Sequence, residues 1–252
     1  MRSNSCTKPL LVLILLPTII LGQALRKAED YYARGIVRQE QGNLDGALAD
    51  FDKAIEMLPK YAAAYTGRGA ARKAKGDFQG AIADFGKAIE LTPEFALPYY
   101  NRGFIFLEKQ AYDEAIKDFD KALEIQPNLA VVFLNRGDAK RAKGDLDGAS
   151  SDYAKVIEIE PQNTDSYYNR AGIRQLKDDL VGAVADFTKV IEMNPEFADA
   201  HADRGLIRLS QGLDSEAQKD FDKYLMLKRD MKNNLEQRIK YAKYLRTKKR
   251  KS

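Results

Sequence analysis

The 252-residue chain contains no tryptophan, a single cysteine and a single histidine, and these shortages bear on its function at once. Cys6 and His201 cannot make up the Cys/His clusters that hold zinc in proteins. No glycine-rich turn follows a strand-like stretch, and no serine stands in a motif with a base. The sequence therefore predicts a protein that is not an enzyme and has no cofactor, no metal site and no small-molecule substrate.

Strand-like alternation of apolar and polar residues is also lacking, as is an apolar run long enough to cross a membrane. The run from Leu10 to Leu21 covers twelve residues, whereas a transmembrane helix needs roughly 17–25. It follows a basic start and precedes Gly22-Gln23-Ala24, a pattern typical of a secretory signal peptide. We predict that residues 1–24 are cleaved off after Ala24 and that the chain is exported, to the periplasm or the medium. The alternative is a membrane-anchored chain that keeps this segment.

What the chain does contain is a period of 34 residues. Five prolines stand at that interval: Pro59, Pro93, Pro127, Pro161 and Pro195. An aromatic residue returns in step at Tyr31, Tyr65, Tyr99, Phe133 and Tyr167. An alanine and a second aromatic follow in each unit, at Ala47 and Phe51, Ala81 and Phe85, Ala115 and Phe119, Ala149 and Tyr153, Ala183 and Phe187, and Ala217 and Phe221. Spacings of three and four residues place these side chains on single helix faces, so each unit is predicted to be a helical hairpin.

The expected turns of these hairpins carry glycine at Gly42, Gly76, Gly144 and Gly212. A helix C-terminus favours glycine there because glycine tolerates the left-handed conformation. Asn43, Asp77 and Asp145 follow as predicted N-caps of the second helices. Two turns have Gln110-Ala111 and Asp178-Asp179 instead, and we expect these two turns to be slightly irregular.

This order of aromatic, glycine, alanine, aromatic and proline residues resembles the tetratricopeptide (TPR) repeat family over about four-fifths of the chain. The resemblance implies an all-α fold, a right-handed superhelical solenoid of antiparallel helical hairpins with about thirteen helices. His201 fills the aromatic position of the last repeat, so a packed role is predicted for it. The six repeats are expected near residues 28–61, 62–95, 96–129, 130–163, 164–197 and 198–229.

Apolar residues at helical spacing continue after the last repeat, at Met231, Leu235, Ile239, Ala242 and Leu245. Because a terminal repeat leaves an apolar face uncovered, residues 230–245 are predicted to form a capping helix that completes a solenoid over residues 25–245. Residues 25–227 carry 28 Lys or Arg against 35 Asp or Glu, while residues 228–252 carry 11 against 2. The end of the chain, 246–252, is predicted to be a basic, disordered tail.

Two charged residues also recur in every repeat. Arginine stands directly before the glycine, or alanine in one repeat, that follows the first aromatic position by four residues, at Arg34, Arg68, Arg102, Arg136, Arg170 and Arg204. Aspartate precedes the second aromatic at Asp50, Asp84, Asp118, Asp152, Asp186 and Asp220. In an antiparallel hairpin the two positions lie at nearly the same height, so we predict structural ion pairs within or between repeats.

In this family the first helices line a concave groove, and in this chain they carry the candidate binding residues. Three asparagines in consecutive repeats would place amides in a row that can hydrogen-bond an extended peptide. The alternative is that Asn-Arg-Gly is simply a common variant of the repeat. The third repeat adds an apolar stripe on its groove side. The predicted groove residues are Leu97, Tyr100, Asn101, Phe104, Leu107, Val131, Leu134, Asn135, Tyr168 and Asn169.

Some TPR proteins hold the acidic C-terminus of heat-shock chaperones with lysine, asparagine and arginine side chains. The matching positions here are Thr66, Ala70, Asn101, Val131 and Asn135, without a cation, so this binding mode is not expected. We predict instead a scaffold or adaptor that binds a partner protein or an extended peptide in the groove after export. The alternative is a surface-tethered structural element whose basic tail makes weak contact with anionic lipid or another polyanion. A nucleic-acid partner is not expected.

Overall fold

The computed structural model describes residues 10–249, with side chains described at residue 23 and from residue 25 to 248. Over this range the chain forms thirteen α-helices and one short 3-10 helix, with no strand. The prediction of an all-α fold with about thirteen helices is therefore confirmed. The chain divides into two compact units, Met1–Pro127 and Asn128–Ser252.

The first unit contains three helical hairpins. Their helices pair in chain order, and the second helix of each hairpin packs on the first helix of the next. The six helices are α1 (Leu10–Glu40), α2 (Leu44–Met57), α3 (Ala62–Ala74), α4 (Phe78–Leu91), α5 (Ala96–Glu108) and α6 (Tyr112–Ile125).

The second unit contains three more hairpins and one further helix. The hairpin helices are α7 (Ala130–Lys143), α8 (Leu146–Ile159), α9 (Thr164–Leu176), α10 (Leu180–Met193), α11 (Ala198–Gln211) and α12 (Asp214–Leu227). A 3-10 helix, Arg229–Met231, leads into α13 (Lys232–Lys249), which packs on α11.

The first repeat begins near residue 28 in the sequence pattern, but its helix begins at Leu10. The helix runs on because no N-cap or turn signal separates the predicted signal peptide from the first hairpin. Residues 1–9 of that peptide lie outside the described residues. No helix within the described range combines the length and apolar character that crossing a membrane requires.

All six hairpin turns contain one residue in the left-handed conformation. Glycine supplies it at Gly42, Gly76, Gly144 and Gly212, where φ lies between 76° and 88°. Gln110 and Asp178 adopt the same conformation, with φ of 60° and 61°. The expectation that these two turns are irregular is wrong: a residue other than glycine can occupy this region at a cost of about 1–2 kcal/mol, and packing of the hairpin offsets it.

Four of the six second helices begin at side-chain caps. Asn43, Asp77 and Asp145 each accept a hydrogen bond from the backbone N–H three residues later, as predicted. Asp179 caps α10 in the same way. Ala111 precedes α6 and Leu213 precedes α12, and neither provides a side-chain cap. Asn163 adds a side-chain cap on a first helix, α9. Among the described residues, five of the twelve hairpin helices therefore have a side-chain cap that helps to fix where they begin, and the others depend more on packing.

Within each unit the core is a series of small clusters that join one hairpin to the helix after it, which is α3 or α5 in unit 1 and α9, α11 or α13 in unit 2. In unit 1, Phe85 of α4 is fully buried against Ala81 and against Ile105 of α5. A methyl group on Gly69 would lie 2.8 Å from the Phe85 ring, so α3 and α4 can approach this closely only with glycine there. The repeated small and aromatic residues thus set how the hairpins pack.

Candidate protein-interaction surface

The recurring arginines and aspartates form ion pairs inside each hairpin, as predicted. Every one of the six aspartates is at most 4% exposed. Each accepts two hydrogen bonds of 2.6–3.1 Å from the arginine sixteen residues earlier. In the first hairpin, the hydrogen bonds from Arg34 hold the pKa of Asp50 below its usual value, although burial acts in the opposite direction. These buried charges are matched, so they are not free to bind a ligand.

Five of the six aspartates have a second cation from the same first helix. Those cations are Arg38, Arg72, Lys140, Arg174 and Arg208. In the third hairpin that position holds Phe106, and Asp118 is paired with Arg102 alone among the described residues. In this hairpin an apolar side chain, Phe106, therefore stands where the other hairpins keep a charge.

In unit 1, the predicted groove residues of α5 lie beside α3. The ammonium group of Lys73 lies 4.6 Å from the centre of the Phe104 ring, a cation–π geometry. The rings of Tyr100 and Phe104 are 6.4 Å apart, and Leu97 is exposed one turn earlier. Aromatic, aliphatic and cationic groups thus share one surface here.

The other predicted residues of α5 differ in how free they are. Asn101 makes no hydrogen bond among the described residues and is half-buried. Leu107 is half-buried as well. Tyr100 also packs on Phe119 of α6, with ring centres 6.2 Å apart. Tyr100 therefore belongs partly to the core of its hairpin, whereas Asn101 is available to a ligand.

In unit 2, Tyr168 and Asn169 lie together in a cavity of about 190 Å³. Arg141 of α7, Phe187 of α10, Asp203 of α11 and further residues of α9 complete its lining. The Tyr168 hydroxyl donates a 2.8 Å hydrogen bond to Asp203, and burial, followed by the Asp203 charge, raises its pKa. Asn169 makes no hydrogen bond within the described part of the chain. The cavity thus offers one engaged tyrosine and one available amide.

The predicted residues of α7 divide in the same way. Val131 is exposed. Leu134 is partly buried and packs against the cluster of Ala149, Tyr153 and Ile173, so it serves the core. Asn135 is half-buried and already has an interaction partner. Val131 is thus the predicted α7 residue most open to a partner.

Gln175 was not among the predicted residues, yet it lines this cavity and two more. It lies seven residues after Tyr168 and three after Gly172, a spacing that places all three on one helix face. Continuing the stripe along α9 therefore identifies it from sequence. The two further cavities are also lined by residues of α13. No pattern in the sequence identifies those residues, because their place in the cavities depends on where α13 packs.

The apolar face of α13 covers the last hairpin. Leu235 is buried, and Ile239 and Ala242 pack against the same cluster of α11 and α12 residues. Arg238 forms an ion pair with Asp203 of α11. Arg246 donates to the backbone carbonyl of Leu209 at 2.9 Å. These contacts fix α13 from one end to the other.

The predicted boundary between capping helix and disordered tail is therefore wrong. The helix continues past residue 245 to Lys249. Arg246 holds this last turn in place because it also forms a 2.8 Å ion pair with Asp214. Residues 250–252 of the predicted tail lie outside the described residues.

His201 is packed inside the last hairpin, as its position in the repeat predicts. It is 6% exposed, and its Nε2 atom lies 3.0 Å from the carbonyl oxygen of Pro195. Among the described residues, no group of three or more His, Cys, Asp or Glu side chains is placed to hold a metal ion.

Comparison with known families gives matches along most of the chain. Models described as tetratricopeptide repeat match residues 21–61, 96–129 and 178–234, and a TPR repeat model matches residues 69–110 and 137–178. A search of curated proteins found no match.

Among solved structures with the same fold, three match this chain over more than nine-tenths of their own length. YrrB, described as a TPR protein with an unusual peptide-binding site, is 26% identical, with a TM-score of 0.61 over 71% of this chain and 95% of that one. MamA from Desulfovibrio magneticus RS-1 is 22% identical, with a TM-score of 0.62 over 68% and 97%. PilF from Pseudomonas aeruginosa is 19% identical, with a TM-score of 0.69 over 84% and 92%. With these matches on the hairpins described above, the chain belongs to the tetratricopeptide repeat family.

Proposed function

We propose that this protein is a non-enzymatic scaffold that holds an extended segment of a partner protein against the first helices of its hairpins. TPR folds in general serve as protein-interaction scaffolds. The observation that carries the proposal is the Asn169 amide, which lines a cavity in unit 2 and has no hydrogen-bond partner among the described residues. An amide both donates and accepts, as the backbone of an extended peptide requires.

The α5 surface of unit 1 supports the same function with a second set of groups. Asn101 again presents an unpartnered amide. Phe104 and Leu97 offer apolar contact for side chains of the bound segment. The peptide-binding site of the similar protein YrrB is a further reason to test peptides as ligands.

Selection of displayed random peptides on the purified full-length chain tests the proposal. The dissociation constant of a selected peptide, measured by fluorescence anisotropy, should rise about fivefold in Asn169→Leu, because one hydrogen bond contributes about 1 kcal/mol. Phe104→Ala should weaken a peptide that occupies unit 1. The control is Asn234→Leu, an exposed asparagine of α13, which should leave affinity unchanged. Peptides that bind all these variants with equal affinity would refute groove binding.

We also propose that the chain is exported before it binds. The basis is the sequence pattern of residues 1–24, with a basic start, an apolar run and a small residue at Ala24. N-terminal sequencing of protein recovered from outside the cytoplasm should begin at Leu25. Recovery of the chain with an intact Met1 from the soluble cytosolic fraction would contradict export.

A further inference from the structure

Two adjoining cavities lie beside α13 in unit 2, next to the cavity around Asn169, with which they share Gln175. Their volumes are about 270 and 560 Å³, and they share Gln175, Leu180, Ser210 and Leu245. Pockets of roughly 300–1,000 Å³ are the usual size for ligand sites. The cavities adjoin the turn from α9 to α10 on one side and the C-terminal half of α13 on the other.

The α9–α10 turn exposes two large apolar side chains at positions where the other hairpins have polar or small residues. Leu176 is 73% exposed and Val181 is 79% exposed. At the position of Leu176 the other repeats have only polar or small residues: Glu40, Ala74, Glu108, Ala142 and Ser210. At the position of Val181 they have Asp45, Gln79, Asp113, Asp147 and Ser215. Burial by a partner would remove this exposed apolar surface from water.

The charge on α13 is strongly positive. Its residues include seven Lys or Arg and a single Glu. Two of the cations that line the cavities are already matched, Arg238 by Asp203 and Arg246 by Asp214. Lys248 lines the larger cavity and has no ion pair within the described residues, whereas Asp178, the acidic residue of the same lining, already has an interaction partner. An unmatched cation at the rim of an apolar cavity favours a negatively charged ligand.

We propose that these cavities bind an acidic peptide segment that carries a bulky apolar side chain. The apolar side chain would contact Leu180 and Leu245, and a neighbouring carboxylate would pair with Lys248. The exposed amide of Gln175, which has no hydrogen bond among the described residues, would bind the peptide backbone. This site does not include Asn169 or Phe104, and among its lining residues it shares only Gln175 with the Asn169 cavity, so a substitution at Asn169 distinguishes it from the function proposed above.

The test uses synthetic fluorescent peptides and the purified full-length chain. The first probe combines Asp and Glu with Leu; a second replaces the acidic residues by Lys, and a third replaces Leu by Ser. The first should bind at least about tenfold more tightly than the other two. Its affinity should fall as salt rises, because screening weakens the contact with Lys248. Equal affinity for all three peptides would overturn the proposal.

Matched variants of α13 locate the site. Lys248→Glu should weaken the first probe about tenfold, while Lys240→Glu makes the same charge change at an exposed position outside both cavities. Leu245→Ser should weaken it as well, whereas Tyr244→Ser, also outside the cavities, should not. Equal losses within each pair would show a diffuse charge effect and overturn the proposal.

Two further measurements separate the alternatives. Binding to phosphatidylserine vesicles that depends equally on Lys240 and Lys248, with no binding of the acidic probe, would assign the basic surface to a membrane and reject the peptide site. The Asn169→Leu variant should keep its affinity for the acidic probe. A failure of groove binding and a failure of this second site are therefore distinguishable.

Discussion

The two units share the same buried core positions, called the shared frame below, but they differ in the apolar residues that they expose. The second aromatic of every hairpin is at most 3% exposed, in unit 1 at Phe51, Phe85 and Phe119 and in unit 2 at Tyr153, Phe187 and Phe221. Among side chains the structure describes, unit 1 exposes three large apolar residues: Leu25, Val37 and Leu97. Unit 2 exposes ten: Val131, Ile159, Leu176, Val181, Leu213, Met226, Met231, Tyr241, Tyr244 and Leu245.

This difference shows which positions of a repeat are fixed by packing. The small and aromatic residues must stay as they are because helices can pack this closely only around them. The remaining positions are free to vary, and in unit 2 more of them carry exposed apolar groups than in unit 1. A shared core with unlike surfaces is what a scaffold with separate binding sites requires.

The strongest test of the shared frame removes one buried aromatic from each unit. Phe119→Ala and Phe187→Ala should each lower the free energy of unfolding by about 3–5 kcal/mol, the usual cost of such a core cavity. Urea unfolding followed by far-ultraviolet circular dichroism measures both. Leu176→Ala, at an exposed site, should change the free energy by no more than about 0.5 kcal/mol. A small loss in only one of the phenylalanine variants would show that the units are not built on the same frame.

A second test compares the ion pairs of the two units. Arg102→Met should cost about 3–5 kcal/mol, because Asp118 would remain buried without a cation. Arg170→Met should cost less, since Arg174 still lies 2.8 Å from Asp186. Thermal unfolding gives the order of the two variants.

The double variant Arg102→Met with Asp118→Asn serves as the control for that comparison. It removes the unmatched charge along with its partner, so it should recover part of the lost stability. If the two single variants were equally stable, the second cation from the first helix would not stabilise the buried aspartate.

Most of the fold could be predicted from the sequence because the repeat places the same packing requirement at each step. The turn glycines and the caps at Asn43, Asp77 and Asp145 follow from local chemistry. The prediction failed where contacts distant in sequence decide the outcome. Like charges near residue 246 favour disorder, but Arg246 reaches Leu209 and Asp214 more than thirty residues away and extends the helix.

The candidate site could be predicted less completely. Helical spacing identifies the face that carries Phe104 and Asn169, but it does not show which side chains are already engaged. Tyr168 is bonded to Asp203, and Leu134 packs in the core. The cavities beside α13 also depend on how that helix docks, which no local pattern in the sequence records.

The smallest expected effect concerns one atom that distinguishes Tyr153 of unit 2 from Phe119, its counterpart in unit 1. The Tyr153 side chain is fully buried, and its hydroxyl donates a 2.6 Å hydrogen bond to Asp138. Burial, followed by that bond, raises the pKa of Tyr153. The folded state therefore favours the neutral phenol more strongly than the unfolded state does.

Tyr153→Phe should lower the free energy of unfolding by about 1 kcal/mol at neutral pH, the contribution of one hydrogen bond. The stabilisation by Tyr153 is fully present below its unfolded pKa of about 10. It is lost as pH rises from there through the raised folded pKa, because the unfolded chain ionises first. The stability difference between wild type and variant, measured by urea unfolding at several pH values, should thus shrink above about pH 10. Other tyrosines ionise in both proteins and cancel in this difference. A gap that stays constant at alkaline pH would show that the Tyr153 hydroxyl is not held as the structure places it.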